Sequence, residues 1–174
     1  MLTSGKDVFA DALVERLGFV KMGMSDPLAN ALYALNPIIS VDTGVRWRGC
    51  IDTIGYTKAK EIPEVRRLLQ VMGTEVGRKM IDTEVWVNIA RRNIEMLTEA
   101  GVSVVLTGVR YQNELSMVTG LPNSTSVWIE RPGLGSTGGH ASENSVNSED
   151  FDMRIMNNDT IEALGDWAVE VASA

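Results

Sequence analysis

The sequence has almost none of the residues that build disulfides and metal clusters. Its 174 residues include one cysteine, Cys50, and one histidine, His140. A single cysteine cannot close an internal disulfide, and one cysteine with one histidine cannot supply the ligands of a structural zinc site. The sequence therefore excludes a disulfide framework and a Cys/His metal cluster.

Basic charge and long apolar runs are also scarce. The 16 lysines and arginines are outnumbered by 23 acidic residues, which gives a net charge of −7. This balance argues against a nucleic acid or an anionic membrane surface as the partner, whereas a small phosphorylated ligand needs only local arginines and lysines. No apolar run approaches the length of a membrane span, and Met1 does not open a signal peptide. We therefore expect a cytoplasmic location.

The composition is that of a globular protein, and the length indicates a single domain over residues 1–174. Strand patterns at 18–25, 102–106, 126–130 and 151–156 alternate with helix patterns at 8–17, 26–35, 63–72 and 84–100 and with a last helix capped by Thr160. This alternation predicts a mostly parallel sheet with helices on both faces. Gly73 is predicted to end the third helix, and Thr83 to cap the fourth.

Two segments lack a clear period. Residues 38–62 predict an irregular insertion over one face, with a short helix near 56–60. Residues 133–148 are rich in glycine, serine and asparagine and contain His140, which predicts a mobile loop.

The first residues have the chemistry of a phosphate-binding loop. Ser4 and Gly5 are small enough for backbone N–H groups to turn towards phosphate oxygens, Lys6 can reach the outer phosphates, and a helix follows. In G-x-x-x-x-G-K-[ST] the first glycine would fall before Met1, and Asp7 replaces the Ser or Thr that holds magnesium. The alternative is an ordinary N-terminus with a solvated lysine.

Three further positions allow either a binding or a structural role. Arg91 and Arg92 lie together on a predicted helix, where a solvated face is the alternative. Arg110 follows the strand at 102–106, and ligands of open α/β sheets bind at the carboxyl ends of strands. Asp26 contacts a ligand or only caps its helix.

Several longer segments make a resemblance specific. They are GFVKMGMSDPL at 18–28, EVRRLLQVMGTEVGRK at 64–79, VWVNIARR at 85–92, VRYQNE at 109–114, ERPG at 130–133, HASE at 140–143 and NND at 157–159, together with SGKD at 4–7. Nearly end to end, the chain resembles bacteriophage deoxynucleoside monophosphate kinases. The resemblance implies a P-loop kinase-like three-layer α/β sandwich. It also implies phosphoryl transfer from ATP, with Mg²⁺, to a deoxynucleoside monophosphate.

The resemblance also implies roles for individual residues. Those for the ATP site are Thr3, Ser4, Gly5, Lys6, Asp7 and Val8, with Lys6 on the phosphates and Asp7 in the magnesium sphere. Arg78, Arg91, Arg92 and Arg110 would grip the acceptor phosphate or the transferring group, because guanidinium groups bind phosphate in a bidentate way. Asp26 and Trp86 would line the acceptor pocket, and Glu143 would order the loop that contains it. Such kinases often form homodimers, and a phage enzyme would act in the host cytoplasm.

The chain departs from the family at two places. The family has a glycine-containing central strand before SGKD, which this sequence lacks, so we expect the true start codon to lie upstream. Gly108 stands where the family usually has an aspartate that would help to order magnesium. Two alternatives follow: a kinase of another small phosphorylated acceptor, because phosphomevalonate kinases look similar in the SGKD loop, or a nucleotide-binding or structural relative without turnover.

Overall fold

The structure, a computed structural model, describes residues 4–133 and 145–173. Its contacts divide the chain into two compact units, Met1–Met24 with Arg91–Ala174 and, separately, Ser25–Ala90. No helix within the described residues is long and apolar enough to cross a membrane. That the chain is a single domain stays a prediction.

Helices and strands alternate along most of the chain, as the sequence predicts. The helices are α1 Lys6–Leu17, α2 Asp26–Leu35, α3 Trp47–Ile54, α4 Tyr56–Ala59, α5 Pro63–Gln70, α6 Val85–Glu99, α7 Gln112–Thr119 and α8 Ile161–Ser173, with a π-helix at Val71–Ile81 and a 3-10 turn at Ser148–Asp150. The strands are β1 Val20–Gly23, β2 Ile38–Ser40, β3 Val45–Arg46, β4 Val104–Thr107, β5 Val127–Glu130 and β6 Met153–Met156. The division between the units falls inside α6.

The first unit contains two parallel strand pairs. β1 pairs with β4, and β5 pairs with β6 with Glu130 opposite Met156. The parallel direction confirms the α/β class. The predicted mostly parallel sheet is present only as separate pairs, because the described strands form two-stranded sheets and β4 is not hydrogen-bonded to β5. A run of four residues with high β-propensity predicts a strand, but it does not predict which distant strand pairs with it.

One apolar core holds the first unit together. Phe9 and Leu13 of α1 pack with Ile155 of β6 and with Leu164 and Ala168 of α8. Side chains from β4 and β5 pack against this cluster as well: Val105, Val127 and Ile129. Because α1 packs in this core, the N-terminus of α1 holds the C-terminal end of the preceding loop in a fixed position.

The predicted ends of α1 and α8 are confirmed. Gly18 follows α1 with φ +73°, a left-handed conformation that suits glycine at a helix end. The Oγ1 of Thr160 accepts the backbone N–H of Ala163 at 3.1 Å and so caps α8.

The second unit is more ordered between residues 38 and 62 than the sequence predicted. β2 and β3 form an antiparallel pair, and α3 and α4 follow, of which only α4 was predicted. Trp47 is 1% exposed and lies with Cys50 in the core of this unit. Helices and strands of two to eight residues are too short to show a hydrophobic period in the sequence. This segment is therefore organised by the buried side chain of Trp47 and not by a periodic pattern.

Gly73 does not end a helix, contrary to the prediction. The π-helix runs through it, and a Cβ atom at residue 73 would come within 2.7 Å of Leu28 Cδ2. Its carbonyl accepts the Nε1–H of Trp86 at 2.9 Å. The missing side chain of Gly73 therefore lets Leu28 pack close to the helix, whereas the sequence treated this glycine as a helix breaker.

Two predicted caps are displaced by one position. The N-cap of α2 is Ser25, so Asp26 is the first helical residue and does not cap. Before α6, the Oδ1 of Asp82 rather than a group of Thr83 accepts the backbone N–H of Glu84, at 3.0 Å. Helix boundaries commonly shift by a residue or two, because each start offers several acceptors close together.

The carboxylate of Asp152 lies at the amino end of the β5–β6 pair and provides a stability prediction. The Oδ2 of Asp152 accepts the hydroxyl of Ser126 at 2.6 Å and its N–H at 2.8 Å, and Ser126 is buried. We expect Asp152→Ala to lower the free energy of unfolding by about 1–2 kcal/mol, because two buried donors lose their acceptor. Urea unfolding at pH 7 measures this, with the exposed Asp42→Ala as control.

The same contact predicts a pH dependence. The hydrogen bonds from the Ser126 hydroxyl and N–H lower the pKa of Asp152 below its usual value. The contribution of the Asp152 carboxylate to the free energy of unfolding is therefore complete above its unfolded-state pKa of about 3.9. This contribution disappears as the pH falls through the lower folded-state pKa. The difference between wild type and Asp152→Ala should shrink below pH 4; a difference that grows there would contradict the assignment.

Candidate active site

The predicted phosphate loop turns sharply into α1. Gly5 has φ +103° and ψ −1°, a left-handed conformation, and directly precedes the helix. Its carbonyl accepts the N–H of Phe9 at 2.9 Å, and the preceding Ser4 is 4% exposed. Residues with a side chain rarely adopt this backbone, so the turn requires glycine. Val8, the next predicted site residue, packs against the core, which leaves only its backbone for a ligand.

A small charge network surrounds the first turn of α1. The Nζ of Lys6 lies 2.7 Å from Asp7 Oδ2, while the Nζ of Lys21 lies 3.4 Å from Asp7 Oδ1 and 2.8 Å from Asp11 Oδ1. Burial raises the pKa of Asp7, but the hydrogen bonds and charges of Lys6 and Lys21 outweigh it and lower the pKa. Asp7 is therefore ionised at neutral pH. The sequence analysis did not single out Lys21, because nothing in the local sequence distinguishes it from an ordinary exposed lysine on a strand.

Asn157 ties the loop to the carboxyl end of β6. Its Nδ2 donates to the carbonyl of Ser4 at 2.8 Å, across 153 residues of sequence. Its backbone N–H donates to the carbonyl of Glu130, at the end of β5, at 2.7 Å. The predicted phosphate loop therefore lies at the carboxyl edge of the β5–β6 pair, where ligands of parallel sheets bind.

Arg110 follows β4 through a constrained turn. Gly108 has φ +82°, so an aspartate in its place would adopt a strained backbone. The Oε2 of the buried Glu114 accepts the backbone N–H of Arg110 at 2.7 Å and that of Tyr111 at 3.2 Å. Glu114 thus fixes the backbone of Arg110.

Three of the predicted site arginines lie in the first unit. Within residues 4–133 and 145–173, the guanidinium groups of Arg91, Arg92 and Arg110 have no carboxylate partner. The ordinary solvated-face interpretation of Arg91 and Arg92 therefore remains open. In the same residues, no group of three or more His, Cys, Asp or Glu side chains could hold a metal ion.

The second unit contains the remaining described site residues. Arg78 lies on the π-helix and donates from Nη1 to the carbonyl of Thr83 at 3.2 Å. Trp86 is 6% exposed and packs on Gly77, where a Cβ atom would come within 2.5 Å of the indole. Asp26 lines a cavity of about 310 Å³ together with Ala29, Asn30, Tyr33, Trp47, Ile51 and Tyr56. Trp86 supports the π-helix and is absent from that lining.

Two predicted site residues, Thr3 and Glu143, lie outside the described residues, as does His140. The positions that sequence reasoning missed are Lys21, Glu114 and Asn157. Asn157 belongs to the NND segment and Glu114 to VRYQNE, so both stood inside quoted motifs without a role.

The comparison with known proteins identifies the family. The model of the family described as deoxynucleotide monophosphate kinase matches residues 52–167. A protein of Acanthamoeba polyphaga mimivirus, provisionally named a deoxynucleotide monophosphate kinase, is 30% identical over 91% of this chain and 86% of its own length. The chain belongs to the deoxynucleotide monophosphate kinase family, as the sequence predicts.

Membership of this family defines the protein as an enzyme. It is a phosphotransferase whose acceptor is a deoxynucleoside monophosphate, and a kinase family implies ATP as the phosphate donor. The family match begins at Asp52, so it does not include the predicted phosphate loop at Ser4, Gly5 and Lys6.

Proposed function

We propose that the chain transfers the γ-phosphoryl group of ATP to a deoxynucleoside monophosphate, in a P-loop kinase-like arrangement and with Mg²⁺. The observation that carries this proposal is the left-handed Gly5 between the buried Ser4 and Lys6, at the N-terminus of α1. Backbone N–H groups and the positive end of the helix dipole at such a turn favour a phosphate. Phosphoryl transfer needs charge neutralisation and alignment more than covalent chemistry.

At the donor end, Lys6 binds the ATP phosphates. Its ion pair with Asp7 is exposed, with side chains 35% and 61% accessible, and such pairs contribute little. A triphosphate therefore competes readily for Nζ. Backbone groups of Ser4, Gly5, Asp7 and Val8 complete the cradle, and Thr3 is proposed from the resemblance alone.

The residues present fit a magnesium ion bound together with ATP. Mg²⁺ is usually held by one or two carboxylates plus substrate phosphates and water, so a single ionised carboxylate beside the loop is a sufficient protein ligand. Asp7 is that carboxylate, since its lowered pKa keeps it charged. When bound, the ion neutralises phosphate charge. Lys21 holds Asp7 in place from the opposite oxygen.

At the acceptor end, Asp26 lines the acceptor pocket. The cavity of about 310 Å³ at Asp26 is lined by three aromatic side chains and by the polar groups of Asp26 and Asn30, and its volume is at the lower end of the range for small-molecule sites. Arg78 binds the acceptor phosphate. Trp86, which does not line this cavity, and Glu143 are proposed from the resemblance alone, Trp86 as an acceptor-site residue and Glu143 as a residue that orders its loop. Arg91, Arg92 and Arg110 neutralise charge on the transferring group, with Glu114 fixing the Arg110 backbone.

Arg78 provides a prediction for the acceptor end. We expect Arg78→Lys to raise the KM for the deoxynucleoside monophosphate about tenfold and to leave the KM for ATP unchanged, because lysine keeps the charge and loses the bidentate contact. Steady-state kinetics with each substrate varied in turn measures both constants. Arg67→Lys is the control, because Arg67 lies on α5 and pairs with Glu64. An unchanged acceptor KM in Arg78→Lys would refute this role.

A coupled ADP-release assay tests the proposed function. The chain is incubated with ATP, Mg²⁺ and each of the four deoxynucleoside monophosphates, with phosphomevalonate as the competing acceptor. ADP release with at least one deoxynucleotide supports the proposal. Release with phosphomevalonate alone would favour the other small-acceptor kinase, and a folded but silent protein would favour a relative without turnover. We propose the cytoplasm as its location and a homodimer as its state, which sedimentation velocity tests.

A further inference from the structure

The position of the phosphate loop depends on one side chain from the far end of the chain. Asn157 is the first residue after β6, and its backbone N–H is bonded to the carbonyl of Glu130 at 2.7 Å. Its side chain is therefore presented from the fixed end of the β5–β6 pair. From there Nδ2 donates to the Ser4 carbonyl at 2.8 Å.

Besides the Ser4 carbonyl, Asn157 also contacts the backbone of Gly5. A Cβ atom at residue 5 would lie 2.5 Å from Asn157 Nδ2 and 2.7 Å from Leu164 Cδ2, so the Gly5 backbone packs directly on both residues. On its other side, the Gly5 carbonyl is already bonded within α1. The Ser4–Gly5 peptide is thus held between α1 and the segment that joins β6 to α8.

We propose that Asn157 is a positioning residue for the ATP phosphates. This inference rests on the proposed function. A carbonyl can only accept a hydrogen bond, so the group that holds Ser4 must be a donor, and the carboxamide is the donor present. By fixing the Ser4 carbonyl, Asn157 sets the orientation of the next peptide N–H groups and the starting point of the Lys6 side chain. Small misplacements of such groups are costly in phosphoryl transfer.

Three variants separate this role from general stability. Asn157→Asp keeps the shape and removes the donor, and it adds a negative charge near the triphosphate. Asn157→Ala removes the contact altogether. Asn158→Ala is the matched control, since Asn158 is the exposed neighbour whose side chain has no partner among the described residues.

Two measurements are made on each full-length variant. Hydrogen exchange of the peptide covering residues 4–9 reports the loop without any ligand, and steady-state kinetics gives the KM for ATP and for the acceptor. We expect exchange and the KM for ATP to rise about tenfold in Asn157→Ala and more in Asn157→Asp, as for a buried acceptor that loses its donor. The acceptor KM should stay within twofold, and Asn158→Ala should match the wild type.

The outcomes separate this inference from the proposed function. Unchanged exchange in both Asn157 variants would overturn the positioning role, whatever the kinetics. Faster exchange with equal rises in both KM values, or with a lower melting temperature alone, would overturn the link to ATP and leave a structural contact. If the wild type released no ADP while exchange still rose, the proposed function would fail, and with it the ATP role of Asn157, although the loop contact would stand.

Discussion

Replacing Lys6 by methionine is expected to lower kcat/KM for ATP by about 10³-fold, the size of effect seen when one preorganised charge donor is removed from a transition state. The loss follows from the proposed contact of Lys6 with the ATP phosphates, since Lys6 is the first residue of α1, directly after the turn at Gly5. Methionine keeps the length and the apolar stem. The free energy of unfolding should hardly change, since the pair with Asp7 is exposed.

Lys21 supplies the control for this variant. Both lysines contact the Asp7 carboxylate, at 2.7 and 3.4 Å, but Lys21 lies on β1 and not in the loop. Lys21→Met should therefore lower kcat/KM by less than tenfold. Equal losses in the two variants would mean that the charge around Asp7 matters and that Lys6 has no special contact with phosphate.

The second large effect is expected at Gly5. Gly5→Ala should lower the free energy of unfolding by about 2–4 kcal/mol, because the left-handed backbone is strained by a side chain and the new methyl group overlaps its neighbours. The overlap is with Asn157 and Leu164. Phosphoryl transfer should fall below a hundredth of the wild-type rate, since relief of the overlap moves the phosphate loop.

Gly101 separates strain from overlap. It has φ +77°, and a Cβ atom there would meet nothing within 4 Å. Gly101→Ala should therefore cost only about 1 kcal/mol and leave activity intact. Urea unfolding and the ADP-release assay compare the two variants. Should Gly5→Ala be as stable and active as Gly101→Ala, the loop would not have the tight packing described.

The sequence predicts best what is encoded locally. The turn into α1 could be predicted because small residues, a lysine and a helical period are contiguous at residues 4–17. Asn157 was missed because the carbonyl that it holds lies 153 residues away. The contacts of Glu114 with the N–H groups of Arg110 and Tyr111 are local, but they were missed because the helix is capped at Tyr111, which lacks the usual Ser or Thr signature of a capping box. A single sequence does not reveal such contacts.

Glycine was the most misleading local signal. At Gly18 the helix-ending interpretation is confirmed, because the residue adopts a left-handed φ. At Gly73 the same interpretation is wrong, because the missing side chain makes room for Leu28. The two uses of glycine look identical in sequence, since one depends on the backbone angle and the other on a neighbour in space.

The most direct test of the central claim is a ³¹P NMR time course of the chain with ATP, Mg²⁺ and a deoxynucleoside monophosphate. We predict that deoxynucleoside diphosphate and ADP resonances grow in equal amounts without inorganic phosphate, and that Lys6→Met stops both. Inorganic phosphate in place of the diphosphate would indicate hydrolysis, and an unchanged spectrum with every acceptor would contradict phosphoryl transfer by this chain.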